Sequence, residues 1–270
     1  MSTVTITQSK ANTIKKKKTN STRGIILFRA LFLPIAFLIL WEIVTRIGIL
    51  PSLLFSSPSL ILIRAMDLIA TGKLWSHMEI SLVRALLGFL LGGGLGLLFG
   101  VIVGMNRKSE HYLNPSFQMI HTVPLLAITP LFILWFGFGE LSKVLLISLG
   151  SFFPLYMQAF LGIRNIDNKL FEVAKVMEYN RFHQITRLML PSALPNILLG
   201  VRLSLSVTWM CLVAAELLGA DRGIQDARSF MQTDTVFVGI IIFALAGKFS
   251  DSFVRFLEQR SLKWQDNFKA

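Results

Sequence analysis

Cysteine is almost absent: the 270 residues hold one, Cys211, inside an apolar segment. That excludes an intrachain disulfide framework and any cysteine-based metal cluster. The four histidines, His77, His111, His121 and His183, offer no pair at helical metal-ligand spacing, so no metal site is expected. Acidic residues are scarce, 15 against 27 lysines and arginines, and charged residues make up only 16% of the chain. A soluble domain carries roughly 25% charged and about 45–50% apolar residues; this chain is 53% hydrophobic, with a mean hydropathy of +0.63. There is no Gly-x-x-x-x-Gly-Lys-Ser/Thr loop to cradle a phosphate. The balance argues against a soluble enzyme, and no cofactor is expected in the chain itself.

What is present is apolar and clustered. Six stretches, residues 25–44, 82–105, 117–137, 144–163, 197–218 and 236–257, are about the ~20 residues that a helix needs to cross a hydrocarbon core. The expected class is all-α, a polytopic membrane protein with six transmembrane helices. The last stretch is the weakest, because Lys248 and Asp251 interrupt it; three residues apart on a helix, they can pair. Residues 1–24 are polar, contain Lys15, Lys16, Lys17 and Lys18, and read as a disordered basic tail. A cleaved signal peptide is the competing reading, but the apolar region is too long and no small-x-small site follows. Residues 25–264 then form the transmembrane domain and 265–270 a short cytoplasmic tail.

The net charge of +12 is topological. With the N-terminus inside, 17 lysines and arginines fall in cytoplasmic segments, whereas Arg46, Arg64, Lys73, Lys143, Arg222 and Arg228 are outside. The positive-inside rule therefore places both termini in the cytoplasm. Membrane lipid is the expected surroundings, and no nucleic acid is needed to explain the charge.

The second span carries a packing signal. Gly88, Gly92, Gly96, Gly100 and Gly104 recur every fourth residue. Small residues at this spacing leave a groove that another helix can enter closely. The signal speaks of helix packing and is silent on substrate.

Between the fourth and fifth spans lies a segment, residues 164–191, longer than the ~2–8 residues common in helix bundles. It reads as short amphipathic helices, with Leu170, Phe171, Ala174 and Met177 on one face and Lys169, Glu172, Lys175 and Glu178 largely on others. Residue chemistry alone leaves two readings, an interfacial helix pair or a dock for a soluble partner. Glu172-Val173-Ala174, then Glu178, then Leu188-Met189-Leu190-Pro191 resembles the signature of ABC-importer permeases. That pattern is Glu-Ala-Ala, three residues, Gly, nine residues, Ile-x-Leu-Pro. The spacing matches throughout, with Val173 for an Ala, Leu188 for an Ile, and Glu178 at the glycine of the turn.

The resemblance runs from about Leu31 to Trp264. Leu74-Trp75-Ser76-His77, the stretch from Ala127-Ile128-Thr129-Pro130 to Trp135-Phe136-Gly137, Gly162-Ile163-Arg164-Asn165-Ile166-Asp167 and Gln232-Thr233-Asp234 resemble the nitrate/sulfonate/taurine branch, the aliphatic sulfonate permeases most. After Gly223-Ile224 the chain is about four residues shorter than that branch, which shortens an external loop near Gln225. The resemblance implies a type I ABC importer permease fold in a bacterial inner membrane. It implies a second copy of the chain, two ABC ATPase subunits that bind ATP and Mg, and an external substrate-binding protein. It also implies that the helix around Glu172 sits in a cleft of the ATPase. Nitrate, taurine and bicarbonate are cargoes of similar permeases.

Polar residues within spans are candidates for the pathway. Arg202, with Trp209 and Glu216 further along the fifth span, offers planar donors that match an oxyanion; the alternative is an arginine that snorkels or bonds carbonyls. Gln118, His121, Thr122 and Thr129 surround Pro124 and Pro130, where freed carbonyls call for polar partners. His121 as a proton relay would instead suit a secondary transporter, but the paired broken helices and inverted halves of such a fold are not evident. A membrane-embedded enzyme or scaffold would need a cluster of catalytic or ligand residues, and none stands out.

Overall fold

The computed structural model describes residues 32–48, 55–218 and 233–262, and among them every regular element is helical. The basic tail (1–24), the start of the first span, the segment around Gln225 and residues 265–270 lie outside the described residues. We number the helices α1 (32–46), α2 (Pro58–Ala70), α3 (Lys73–Met105), α4 (Arg107–His121), α5 (Leu125–Phe136), α6 (Glu140–Arg164), α7 (Asn168–Val176), α8 (Arg181–His183), α9 (Leu190–Leu218) and α10 (Thr233–Ser261). A π-helical turn, Gln184–Met189, joins α8 to α9.

Four helical segments are individually long and apolar enough to cross a membrane: α3, α6, the continuous stretch through α8 into α9, and α10. The third expected span, 117–137, is not one helix. It is split into α4 and α5, which meet at 92°. Pro124 makes the break, because proline has no N–H to donate and holds the residue before it, Val123, out of helical backbone. Thr122 closes α4 by donating its hydroxyl to the Met119 carbonyl at 2.6 Å. At 12 residues α5 is only about 18 Å long, too short to cross a core of ~30 Å alone. The last span is also more regular than expected. Lys248 and Asp251 do not interrupt α10, and Asp251 bonds Arg202 and Arg255 rather than Lys248.

The centre of the bundle is α6, with α3 on one side and α9 on another. The glycine ridge of α3 lies directly on α6. A Cβ at Gly92 or Gly96 would strike the carbonyl of Ser148 or Phe152, and at Gly100 it would stand 2.6 Å from the Tyr156 carbonyl. At Gly88 and Gly104 the obstacles are the side chains of Ile147 and Ile163. The close approach lets serines bond across helices. Ser148 and Ser151 donate to the Gly88 carbonyl at 3.1 and 3.2 Å, and Ser204 of α9 donates to the Ser151 carbonyl at 2.6 Å. In hydrocarbon, where apolar attraction between helices is weak, such packing and hydrogen bonds supply the association.

The remaining elements attach to this three-helix core. Helix α4 is fixed to α6 by an aromatic contact, Phe117 on Tyr156 at 4.9 Å, by Tyr156 donating to Asn114 at 3.0 Å, and by the Arg164–Glu110 ion pair at 2.7 Å. Helices α1, α2 and α10 share a separate cluster of Trp41, Ile61, Leu68, Phe237 and Val238.

Two substitutions on α3 separate packing from helix propensity. Gly96→Ala is expected to destabilise by about 1–3 kcal/mol, because its Cβ meets a main-chain carbonyl and α6 must shift to admit it. At Gly94 nothing lies within 4 Å, so Gly94→Ala is expected to be neutral or to gain about 0.5–1 kcal/mol. Thermal unfolding of the purified protein in detergent checks both; equal midpoints for the two variants would refute the close contact.

Candidate functional site

The segment 164–191 forms one surface unit at the end of the bundle where α6 finishes and α9 begins. Asp167 caps α7, accepting from the Lys169 N–H at 3.0 Å. The helix stops after nine residues in a Schellman arrangement: Tyr179 N–H bonds the Ala174 carbonyl at 3.0 Å, and Glu178 N–H bonds the Lys175 carbonyl at 3.1 Å. This motif needs a residue with positive φ, and Glu178 supplies it at +53°, the one non-glycine residue with positive φ among those described. The turn that the family signature builds with glycine is thus kept with a carboxylate side chain in its place. Beyond it Asn180 accepts from the His183 N–H at 2.9 Å, and Gln184 donates to the Tyr179 carbonyl at 3.0 Å. The chain then enters the π turn. Pro191 lacks the N–H that an α-helix would direct to the Arg187 carbonyl, which suits the wider turn just before it.

The expected apolar face of α7 is only half right. Ala174 is 1% exposed and Phe171 packs beside Ile163, Met189 and Ala193, but Leu170 and Met177 face out. Nine residues make too short a helix to bury a full stripe against so narrow a seat. Of the signature residues, Ala174, Leu188 and Leu190 are buried or half-buried support, whereas Glu172, Val173, Glu178 and Pro191 are exposed. Along α7 and the residues after it apolar side chains are exposed beside the charges of Lys169, Glu172, Lys175 and Glu178: Val173, Val176 (84% exposed), Met177 and Phe182 (70% exposed). Val176 and Phe182 escaped the sequence reading because they fall between motif positions. Among the described residues the Glu172 carboxylate has neither a hydrogen bond nor an ion pair.

The intramembrane polar residues do not converge on one site. Arg202 forms an ion pair with Asp251 of α10, and Trp209 donates to Ser250 at 3.1 Å, so both fasten α9 to α10. Glu216 is 5% exposed, accepts from Ser81 at 2.5 Å and pairs with Arg84 at 3.5 Å. Arg84 in turn holds Glu140 in a bidentate pair, 2.5 Å to each oxygen. This cluster, buried at Arg84 and Glu216 and open at Glu140, ties α3, α6 and α9 together near the ends of α6 and α9 remote from α7. Arg84 lay in an apolar run without a visible partner in sequence, since Glu140 and Glu216 are far along the chain.

Gln118 and Thr122 belong elsewhere. Gln118 and His121 line a cavity of about 330 Å³ between α4, α6 and α9, with Gln158, Leu203 and Ser206 opposite. A second cavity of about 220 Å³ adjoins it at the α4–α5 break, sharing His121, Phe153, Pro154 and Val207, with Thr122 in its wall. Non-helical backbone inside an apolar segment is tolerated where it lines such a cavity. Among the described residues no three His, Cys, Asp or Glu side chains gather as a metal site.

These features define a multi-span helical membrane protein with a short helix, α7, exposed on one face at one end. The family model for binding-protein-dependent transport system inner membrane components matches residues 92–263. The chain is 49% identical over 267 residues, 97% of its length and 96% of the relative's, to SsuC of Bacillus subtilis (strain 168), named as an aliphatic sulfonates transport permease protein. It is 36% identical over 195 residues, 71% of each chain, to the taurine transport system permease protein TauC of Escherichia coli (strain K12). A chain of the MetNI methionine ABC transporter in inward-facing conformations has a similar fold, with a TM-score of 0.50 and 19% identity over 67% of this chain and 92% of that one. The chain belongs to the family of binding-protein-dependent transport system inner membrane components.

The turn at Glu178 can be tested in isolation from transport. A side chain in the left-handed region costs roughly 1–2 kcal/mol, offset in part by the ~0.5–1 kcal/mol entropy cost of glycine. Glu178→Gly is therefore expected to stabilise the α7 turn by up to about 1 kcal/mol, read as slower amide exchange at Tyr179. Faster exchange in Glu178→Gly would show that the glutamate side chain, not the turn, holds the segment.

Proposed function

We propose that this chain is the permease subunit of an ATP-driven importer of small organic anions, aliphatic sulfonates first, and that α7 transmits the stroke of a separate ATPase. The observation that carries the coupling role is the unpartnered Glu172 carboxylate, set among exposed Val173, Val176, Met177 and Phe182 on a helix whose other face is locked to α6 and α9. Exposed apolar side chains interleaved with charges of both signs, Lys169, Glu172, Lys175 and Glu178, suit a protein contact. The relatives' names, aliphatic sulfonates and taurine, are the support for a sulfonate as cargo. Taurine, itself an aminosulfonate, is the second reading.

In this reading two copies of the chain assemble with two ATPases, which bind ATP and Mg, and an external protein delivers the substrate. Both termini are cytoplasmic, on the charge asymmetry of the loops. Closure of the ATPase pair would bias the permease between inward-open and outward-open arrangements.

Glu172→Lys tests the coupling. Reversing a charge inside a protein contact can cost several kcal/mol, so uptake and substrate-stimulated ATP hydrolysis are expected to fall together by at least about tenfold. Co-purification of the ATPase should weaken, while insertion persists because the residue lies outside the hydrocarbon. A Glu172→Lys complex that assembles normally and transports at the wild-type rate would overturn the role.

A further inference from the structure

The charged side chains of the described spans are largely engaged with one another: Arg84 with Glu140 and Glu216, Arg202 with Asp251, and Asp251 with Arg255. Many neutral polar ones also bond within the bundle, but three on α4 and α6 do not. Among the described residues the side chains of Gln118, His121 and Gln158 make no hydrogen bond, and all three line the open cavity between α4, α6 and α9, Gln118 and His121 exposed at it and Gln158 half-buried. Gln118 and His121 are three residues apart, on one face of α4, and the His121 ring lies tilted against Phe153 at 5.2 Å. Ser206, opposite them on α9, donates back to the Arg202 carbonyl at 3.1 Å and lines the same space. Pro154 lies in the same wall and withholds the N–H that the Gly150 carbonyl would receive, so backbone polarity also borders the adjoining cavity. Polar groups left without partners within a membrane protein are expected to face water or a polar cargo.

We propose that this cavity is a subsite on the substrate's path, where Gln118, His121 and Gln158 donate hydrogen bonds to an oxyanion group while Phe117, Phe153 and Leu203 meet an alkyl chain. The inference rests on the importer reading above and names the residues that meet its cargo. A sulfonate suits the lining: three oxygens share one negative charge and accept from amide and imidazole N–H groups, while the alkyl end needs only apolar contact. Neutral donors also suit transit. An arginine would pair with the anion strongly, whereas passage needs binding weak enough to end. Arg202, committed to Asp251, is not required.

The test uses the whole transporter, permease with its ATPase and binding protein, in liposomes, with labelled ethanesulfonate as cargo. Gln118→Leu and His121→Leu are expected to lower uptake at least about tenfold, the scale of a lost hydrogen bond to a charged group. His121→Gln, which keeps an amide donor, should stay within about threefold of wild type. As a check independent of transport, Gln118→Cys in a Cys211→Ala background should react with 2-sulfonatoethyl methanethiosulfonate, itself a sulfonate, and excess ethanesulfonate delivered by the binding protein should slow the reaction. Wild-type uptake by both leucine variants, equal loss in His121→Gln and His121→Leu, or no modification of Gln118→Cys would each overturn the subsite. If the wild-type transporter carries nitrate and not ethanesulfonate, the sulfonate reading fails instead; the same leucine variants assayed on nitrate then decide the subsite.

Discussion

The structure depends on how closely α3 lies against α6. All five ridge glycines face α6 main chain or the root of a side chain at distances no added Cβ could occupy. In water such a contact would be one among many. In hydrocarbon there is little apolar drive to bring helices together, so the close approach and the serine hydrogen bonds it permits carry more of the association. Because α6 also receives α9 through Ser204, α4 through Tyr156 and α5 through its own flank, loosening this one contact would release most of the bundle.

Charge is placed with equal economy. Removing one member of a buried pair leaves the other desolvated, so Arg84 and Glu216 hold α3 to α9 in one arrangement, while the exposed Glu140 of α6 accepts the remaining Arg84 donors. Whether such a cluster stabilises relative to apolar residues is a separate question; its firm consequence is that only one register of α3, α6 and α9 satisfies all three groups. Arg202 and Asp251 do the same between α9 and α10. Ionic groups thus serve the scaffold, and the cavity is left to amides, an imidazole and a hydroxyl.

Several of these features could be read from the chain itself because they depend on local periodicity. The four-residue glycine repeat, the apolar lengths of α3, α6 and α9, and the motif spacing from Glu172 to Pro191 are all of this kind. What escaped depends on partners distant in sequence. Arg202 reads as a lone intramembrane cation until Asp251, 49 residues later, is seen beside it. The broken third span was half visible, since Pro124 and Pro130 both stand in it, yet only the first ends a helix. Pro124 coincides with a hydroxyl cap at Thr122, whereas Pro130 stays within α5. At Glu178 local chemistry favours glycine, and tertiary support from the α7 seat holds the conformation regardless.

The seat of α7 and the walls of the cavity are carried by the same two helices. Ile163 and Ala193 hold the helix that bears Glu172, while Gln158 lies five residues back along α6 and Ser206 lies thirteen residues on along α9. At about 1.5 Å per residue these separations are roughly 8 and 20 Å of continuous helix. A helix transmits axial displacement and rotation without any special chain of side-chain contacts, and a close-packed core answers by switching arrangement rather than by yielding locally. Motion imposed at α7 would therefore be carried along both walls of the cavity, from Phe153 to Gln158 on α6 and from Leu203 to Val207 on α9.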